Sequence, residues 1–480
     1  MMLAAAWKPL VSLDPANDGI DFYESLEGML VQVNDAVAVG PRSDFTSNRE
    51  IPVVGDNGAN AVVRTNRGGV LAQANDFNPE RIILNDWISG GPILPPANVG
   101  DMFPGATLGV IDYSFNNFKL QVISMPSLVS GGLAQEVAPI AGLNQISVAA
   151  FNVENLAPSD PSSKFSTLAD LIINHMQSPD IMSIEEIQDN SGATNDGGVD
   201  ASTTWGILIA AIQAAGGPTY EYRQIDPVNN QDGGAPGGNI RVGFLFRTDR
   251  GLSFIDRPGA MSTTANAVTG IGASTQLLYS PGRIDPTNTV FNTSRKPLAG
   301  EFMFNGHHLF VIANHWNSKG GDEPLFGVDQ PPVFSSEIQR NQQATVVHEF
   351  VNAILTTDPN ANVLVMGDLN DFQFSSALET LMGSPAILTD LIDTLPLAER
   401  YSYVYEGNSE TLDHILASAA VVARPYVYDV VHVNSEFAVQ ASDHEPQAMV
   451  VTLNNPPTVD AGGPVHRGRR QLCHADCHRF

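Results

Sequence analysis

The chain is poor in cysteine and lysine and has no long apolar run. Its two cysteines, Cys473 and Cys477, lie within the last eight of 480 residues, so no disulfide framework staples the body of the fold. Apolar runs fall short of the ~18 residues that a membrane span needs. Only five of the 24 basic residues are lysines, against 52 acidic residues and a net charge of −28. That imbalance excludes a bulk-basic nucleic-acid binder, because the mean field repels phosphate at long range. It allows an acidic protein that handles phosphate esters through local cations and a few arginines, and it suits a saline or extracellular setting. The opening residues, MMLAAAWKPLVSLD, have no basic segment ahead of their apolar patch and are interrupted by Lys8, so they do not read as a secretion signal. With 43% hydrophobic and 16% charged residues the chain reads as globular, and its length predicts two or three domains.

Residues 1–18 read as a disordered or remnant N-terminus. Residues 19–125 read as several short strands: 22–33 with a strand-like end, 61–74 around a Gly-Gly turn, 78–86, and a hairpin over 107–122 with an Asn-Asn turn. Short strands without helical periods predict a small all-β domain of OB-like type. Residues 126–143 read as a linker. From 144 to 453, strands at 144–156, 179–189, 240–247, 307–316 and 362–370 alternate with amphipathic helices at 163–177 and 336–355. That alternation predicts a layered α/β domain. Residues 454–480 read as a linker and a non-domain tail, and the tail's CHADCH matches no standard zinc spacing.

Short polar stretches recur at the ends of the predicted strands: FNVEN (151–155), SIEEIQD (183–189), ANHWNSKGGD (313–322), MGDLND (366–371), TLDHILAS (411–418) and ASDHEP (441–446). Asn, Asp and Glu at strand ends suit a hard divalent cation, which takes few carboxylates and keeps water. No HExxH spacing is present, which argues against a protease-type zinc site. Singly, each stretch is also an ordinary turn, cap or solvated end.

Taken in order, these stretches resemble the endonuclease/exonuclease/phosphatase superfamily over about residues 145–453, with GDLND and SDHEP the most specific. The resemblance is closest to secreted bacterial nucleases with an N-terminal OB-like domain. It implies a four-layer α/β sandwich (DNase-like) whose site lies at one edge of two packed sheets. It implies Asn152, Glu186 and Asp443 as metal-site residues. Asp368 would orient or deprotonate the attacking water, and Asn370, two residues on, would share its face. His315 and His444 would flank the phosphodiester, with Asp413 as a supporting acid. Glu185 departs from the pattern, which has Gln before the catalytic Glu. Arg241, Lys319 and Arg340 are candidates for substrate phosphate contacts.

The expected protein is a secreted, Mg²⁺- or Mn²⁺-dependent nuclease, with Ca²⁺ as an alternative ion. Its substrate would be extracellular DNA, with RNA as a further substrate, and neither a stable protein partner nor a membrane span is expected. A phosphodiesterase or phosphatase for lipid or nucleotide phosphates is the first alternative. A catalytically inactive binding or adhesion protein on the same scaffold is the second.

Overall fold

The computed structural model describes residues 13–453. The expectations for residues 1–12, for the tail 454–480 and for its cysteines lie outside the described residues.

The first domain is a closed barrel of five strands: β1 (Leu30–Ala38), β2 (Arg49–Val54), β3 (Ile82–Asn85), β4 (Met102–Ser114) and β5 (Asn117–Ser124). The strand order β1-β4-β5-β3-β2 returns to β1 through Val37↔Val54, and β3 runs parallel to β5. This is the OB-like arrangement that the short strands predict. Alternate residues such as Ala36, Ala38, Ile51 and Val53 point inward, with Leu84, Phe103 and Leu120, to make the barrel core.

The second domain is built on two sheets. In the first sheet the order is β8 (Tyr220–Arg223), β9 (Arg241–Arg247), β7 (Ile181–Ile187), β6 (Gln145–Leu156), β17 (Gln447–Thr452) and β16 (Tyr426–Val430). In the second it is β10 (Leu252–Phe254), β11 (Leu298–Phe304), β12 (His307–His315), β13 (Asn362–Asp368), β15 (Asp413–Ser418) and β14 (Leu388–Asp390). The inner faces pack together through Ile146, Val148, Ala150, Val311, Leu364 and Met366. The outer face of the first sheet carries α1 (Ser162–Asp170) and α2 (Ser202–Ala214), and that of the second carries α3 (Glu337–Thr357) and α4 (Ser376–Met382). The result is four layers, helix–sheet–sheet–helix. Central strands buried on both faces explain their near-continuous apolar runs.

Topology gathers one edge. β6 runs parallel to β7, and β12 to β13, so four strands deliver their C-terminal ends there. β15 is antiparallel to β13 and β17 to β6, so residues just before or at their starts reach the same edge.

Four local expectations are corrected. Residues 61–74 give only a two-residue strand, Val70–Leu71, which pairs parallel with Asn408–Ser409 of the second domain. The 107–122 hairpin turns on Phe115 and Asn116, not on two asparagines; both have left-handed φ (50° and 62°), as a two-residue hairpin loop requires. The 126–143 segment is pinned rather than free: Glu136 takes an ion pair from Arg67 at 3.1 Å and a hydrogen bond from His432 Nδ1 at 2.8 Å. The strand expected over 362–370 ends at Asp368. Within it Gly367 has φ +126°, and a Cβ there would lie 2.2 Å from the Asn314 carbonyl oxygen.

Candidate active site

Strand parity selects the side chains that meet at the open edge. Even positions of β6 and β13 (Ile146, Val148 and Ala150; Leu364 and Met366) face the sheet–sheet core, as do odd positions of β12 and β15 (Val311 and Ala313; Ile415 and Ala417). Continuing each series places Asn152, Asp368, His315 and Asp413 together. All four are buried. Cross-strand register sets Asp368 against both His315 and Asp413.

Asp368 is the hub. Its Oδ2 accepts a hydrogen bond from Asn152 Nδ2 at 3.1 Å and lies 3.4 Å from His315 Nε2 and 3.8 Å from His444 Nε2. Its Oδ1 accepts from the Asn370 backbone N–H at 2.8 Å. Burial, helped by the charges of Asp413 and Glu186, pushes its pKa up to about 7 against the pull of His444. A carboxylate titrating there can both hold and release a proton near neutral pH.

The two histidines are driven in opposite directions. Burial holds His315 well below its ordinary pKa, and Arg295 and His444 press the same way. Burial alone would lower His444 too, but Asp413, Asp368 and Asp443 outweigh it and raise it well above its ordinary value. His444 donates from Nδ1 to Asp413 Oδ2 at 2.8 Å, which leaves Nε2 facing the site. Asp413 is itself held by the Ser402 hydroxyl at 2.8 Å. Asp368, Asp413 and His444 lie close enough to share a metal ion, but the Asp413–His444 hydrogen bond uses the donor atoms as an orienting pair. One neutral imidazole beside one imidazolium is an acid–base assignment set by environment.

Glu186 reaches the edge by a different route, since its parity on β7 points away from the sheet–sheet core. A left-handed φ of +66° breaks the alternation, and Asn155 N–H fixes Oε2 at 2.8 Å. Its Oε1 lies 3.7 Å from His315 Nε2. Asp443 accepts a hydrogen bond from the Tyr403 hydroxyl at 3.2 Å. Glu154, absent from the expected set, has its pKa pushed up to about 6 by burial and by Asp443 and Glu186. Its place in FNVEN, beside Asn152, was the available signal. Buried Arg295, which bonds the Trp316 carbonyl, and Tyr403, whose ring centroid is 4.7 Å from that of His444, were also missed. Arg295 stands in no recognised stretch.

The residues present fit a hard divalent cation. Glu186, Asp443, Glu154 and Asp368 are oxygen donors at this edge; Asp443 and Glu186 raise the cost of charging Glu154, and Glu186 that of charging Asp368, which a cation would offset. Glu186 and Asp443 are the residues that would hold it. Asn152 has a different first duty from the one expected: its Oδ1 accepts from Glu154 N–H at 3.0 Å while its amide N–H orients Asp368. One oxygen lone pair remains for an ion.

Three expectations change here. Asn370 sits in the site, but not by strand alternation: its φ is +53°, and Nδ2 donates to the Trp316 carbonyl at 3.3 Å. Arg241 is not a phosphate contact; it is buried and bonds Asp226 at 2.8 Å and the Val199 carbonyl. Arg340 is buried too, donating to Asp371 Oδ2 and Ser336 Oγ at 2.8 and 2.6 Å. Asp371 is thereby a structural partner, as a residue on the opposite face should be. Arg340→Ala is expected to cost about 3–5 kcal/mol by stranding that carboxylate, seen as a lower urea midpoint. An unchanged midpoint with weakened substrate affinity would restore the phosphate role. Lys319 lies beside the site, its ammonium 3.8 Å from the Phe372 ring centroid.

Glu185 pairs with Asn152 across β6 and β7 and faces the sheet–sheet core. One oxygen accepts from Ser183 Oγ; the other has no hydrogen-bond partner among the described residues. Burial raises its pKa well above the ordinary value, and Asp413 and Asp368 raise it further. A carboxyl whose burial opposes its charged form therefore stands where the resemblance has an amide. A raised folded pKa gives its stability below the unfolded value and loses it as pH climbs through the folded one. Glu185→Gln is thus expected to raise Tm at pH 8 by about 2 °C or more, and by less at pH 5. Equal shifts by calorimetry at both pH values would contradict this.

Residues 5–130 match a family described as a domain of unknown function (DUF8508), and residues 278–445 match the Endonuclease/Exonuclease/phosphatase family. No curated protein matches the chain in sequence. Among solved structures, an endonuclease/exonuclease/phosphatase from Bacteroides vulgatus aligns at 14% identity and TM-score 0.41, over 65% of this chain and 99% of its own. Truncated Caenorhabditis elegans TDP2 aligns at 14% and 0.40, over 64% and 98%. The human Nocturnin catalytic domain aligns at 13% and 0.41, over 65% and 96%.

Proposed function

This chain belongs, through residues 278–445, to the endonuclease/exonuclease/phosphatase superfamily, and we propose on that premise that it is a nuclease hydrolysing phosphodiester bonds in nucleic acid with Mg²⁺ or Mn²⁺. The observation that carries the reading is the opposed pair of histidines around Asp368. Asp368 takes a proton from the attacking water as its oxygen bonds to phosphorus. His444, charged and fixed by Asp413, donates from Nε2 to a phosphate oxygen or to the departing oxygen as the P–O bond breaks. His315, neutral and 3.4 Å from Asp368, keeps that carboxylate in place. A bound cation would supply charge stabilisation for the phosphoryl oxygens.

DNA is the substrate we favour, with RNA as a further one. The OB-like barrel supports a polymer, since such barrels offer strand-binding surfaces. The net charge of −28 supports an extracellular setting, and no helix among the described residues is long and apolar enough to cross a membrane. The same charge favours a second reading, a phosphodiesterase for small or lipid phosphates, because polyanionic DNA is repelled on approach. Supercoiled plasmid incubated with Mg²⁺, and in parallel with chelator, tests the first reading. Nicking that disappears with chelator supports it. An intact plasmid alongside hydrolysis of a small diester moves the assignment to the second.

A further inference from the structure

A cavity of about 410 Å³ opens directly on the site, and both domains build it. Asn370 and His444 line it together with Tyr403 and Tyr405, and with Phe115 and Asn116 of the barrel's hairpin tip. The rings continue outward from the imidazole: Tyr403 is 4.7 Å from His444, and Tyr405 is 6.4 Å from Tyr403 with the planes 17° apart.

Phe115 is the unexpected member. It is 75% exposed and sits at a turn position with φ +50°, where Asn, Asp or Gly are at ease and an aromatic is not. Its one cationic neighbour, the Lys119 ammonium at 5.1 Å from the ring centroid, is bonded to Glu50. The ring fills no core. Tyr405, across the cavity lining, is 48% exposed.

The charge of the cavity decides what can enter. Asp322, Glu323, Glu406 and Glu410 line it, and its cationic groups are His444 and Lys319, whose ammonium has no hydrogen-bond partner among the described residues. Four acids against these two cationic groups disfavour a second phosphate. Exposed rings, one free donor and several acceptors suit an uncharged, flat, hydrogen-bonding group. His444 and Asn370 of the site themselves line the cavity, so its occupant is attached to the phosphate being cut.

We propose that this cavity is a subsite for an unpaired nucleobase next to the scissile phosphate, received by Tyr405 and by Phe115 from the barrel. It rests on the nuclease reading and names the substrate class: single-stranded nucleic acid, because a base held in a duplex stack cannot enter. The barrel thereby contributes a substrate contact to a reaction carried out by the other domain.

The test uses full-length protein carrying Asp368→Asn to stop turnover, in Mg²⁺, with a labelled oligonucleotide followed by fluorescence anisotropy. Adding Phe115→Asn, which suits the left-handed turn, is expected to weaken single-strand binding about 5- to 100-fold and duplex binding less than twofold. Tyr405→Ser should act in the same direction, and circular dichroism checks that both variants keep the fold. No loss, or an equal loss on both forms, overturns the subsite. Hydrolysis of bis(p-nitrophenyl) phosphate by the unsubstituted protein separates the two levels. If it cleaves that diester and Phe115→Asn binds normally, only the subsite falls; if it cleaves no diester of any kind, the nuclease reading falls with it.

Discussion

His444→Ala is expected to lower turnover on a phosphodiester by about 10²–10⁴-fold while the protein keeps a native-like unfolding transition. The size follows from what the residue alone supplies: a charged donor, held by Asp413 at 2.8 Å, whose free Nε2 lies 3.8 Å from Asp368. Asp368→Ala should fall in the same range, because it removes the buried carboxylate at the hub of the site, poised at about 7. The two losses should not multiply, since each group acts through the other. Single-turnover rates with saturating substrate would measure the chemical step. Either variant retaining more than about a third of the normal rate, with its fold intact, would refute the role given to that residue.

Asp413→Asn is the second large expectation, at about 10²–10⁴-fold in kcat with little change in KM. Asp413 touches no reacting atom in this account; it is a positioning residue. It accepts from His444 Nδ1 and from the Ser402 hydroxyl, and it is the foremost of the charges that raise His444. The sign of the pH effect follows. Removing that negative charge lowers the imidazolium pKa, so the alkaline limb of the rate profile should move to lower pH. A merely structural role would reduce activity at every pH without moving the limb. A fall in kcat with an unmoved limb would therefore count against it.

What the sequence revealed, and what it hid, follows from how each residue reaches the site. Asn152, His315, Asp368 and Asp413 are extensions of strand alternations, so a parity argument on apolar runs places them. Glu186 and Asn370 lie in the site because φ turns positive, +66° and +53°. Parity points away from the first and reaches the second for the wrong reason. Arg241 and Arg340 were misread because a buried arginine's partner is invisible in sequence: Asp226 lies 15 residues away and Asp371 lies 31 away. Tyr403 and Phe115 flank the site through contacts between elements far apart in the chain. The barrel was legible as short strands, but its attachment through Val70–Leu71 to Asn408–Ser409 was not, since two residues carry no periodicity. Glu185 was visible as a departure, and the structure adds its environment: a core-facing position where a neutral group is favoured.

In the proposed mechanism a divalent cation held at Glu186 and its neighbours would work with Asp368 and His444 to cut a phosphodiester. Titrating Mg²⁺ into chelator-treated protein while following cleavage of a single-stranded oligonucleotide tests it most directly. The unsubstituted protein is expected to cleave nothing before addition and to recover saturably after it. Glu186→Gln should need at least about 10–100-fold more Mg²⁺ for half-recovery. Cleavage undiminished by chelator, or the same Mg²⁺ requirement in Glu186→Gln, would contradict it.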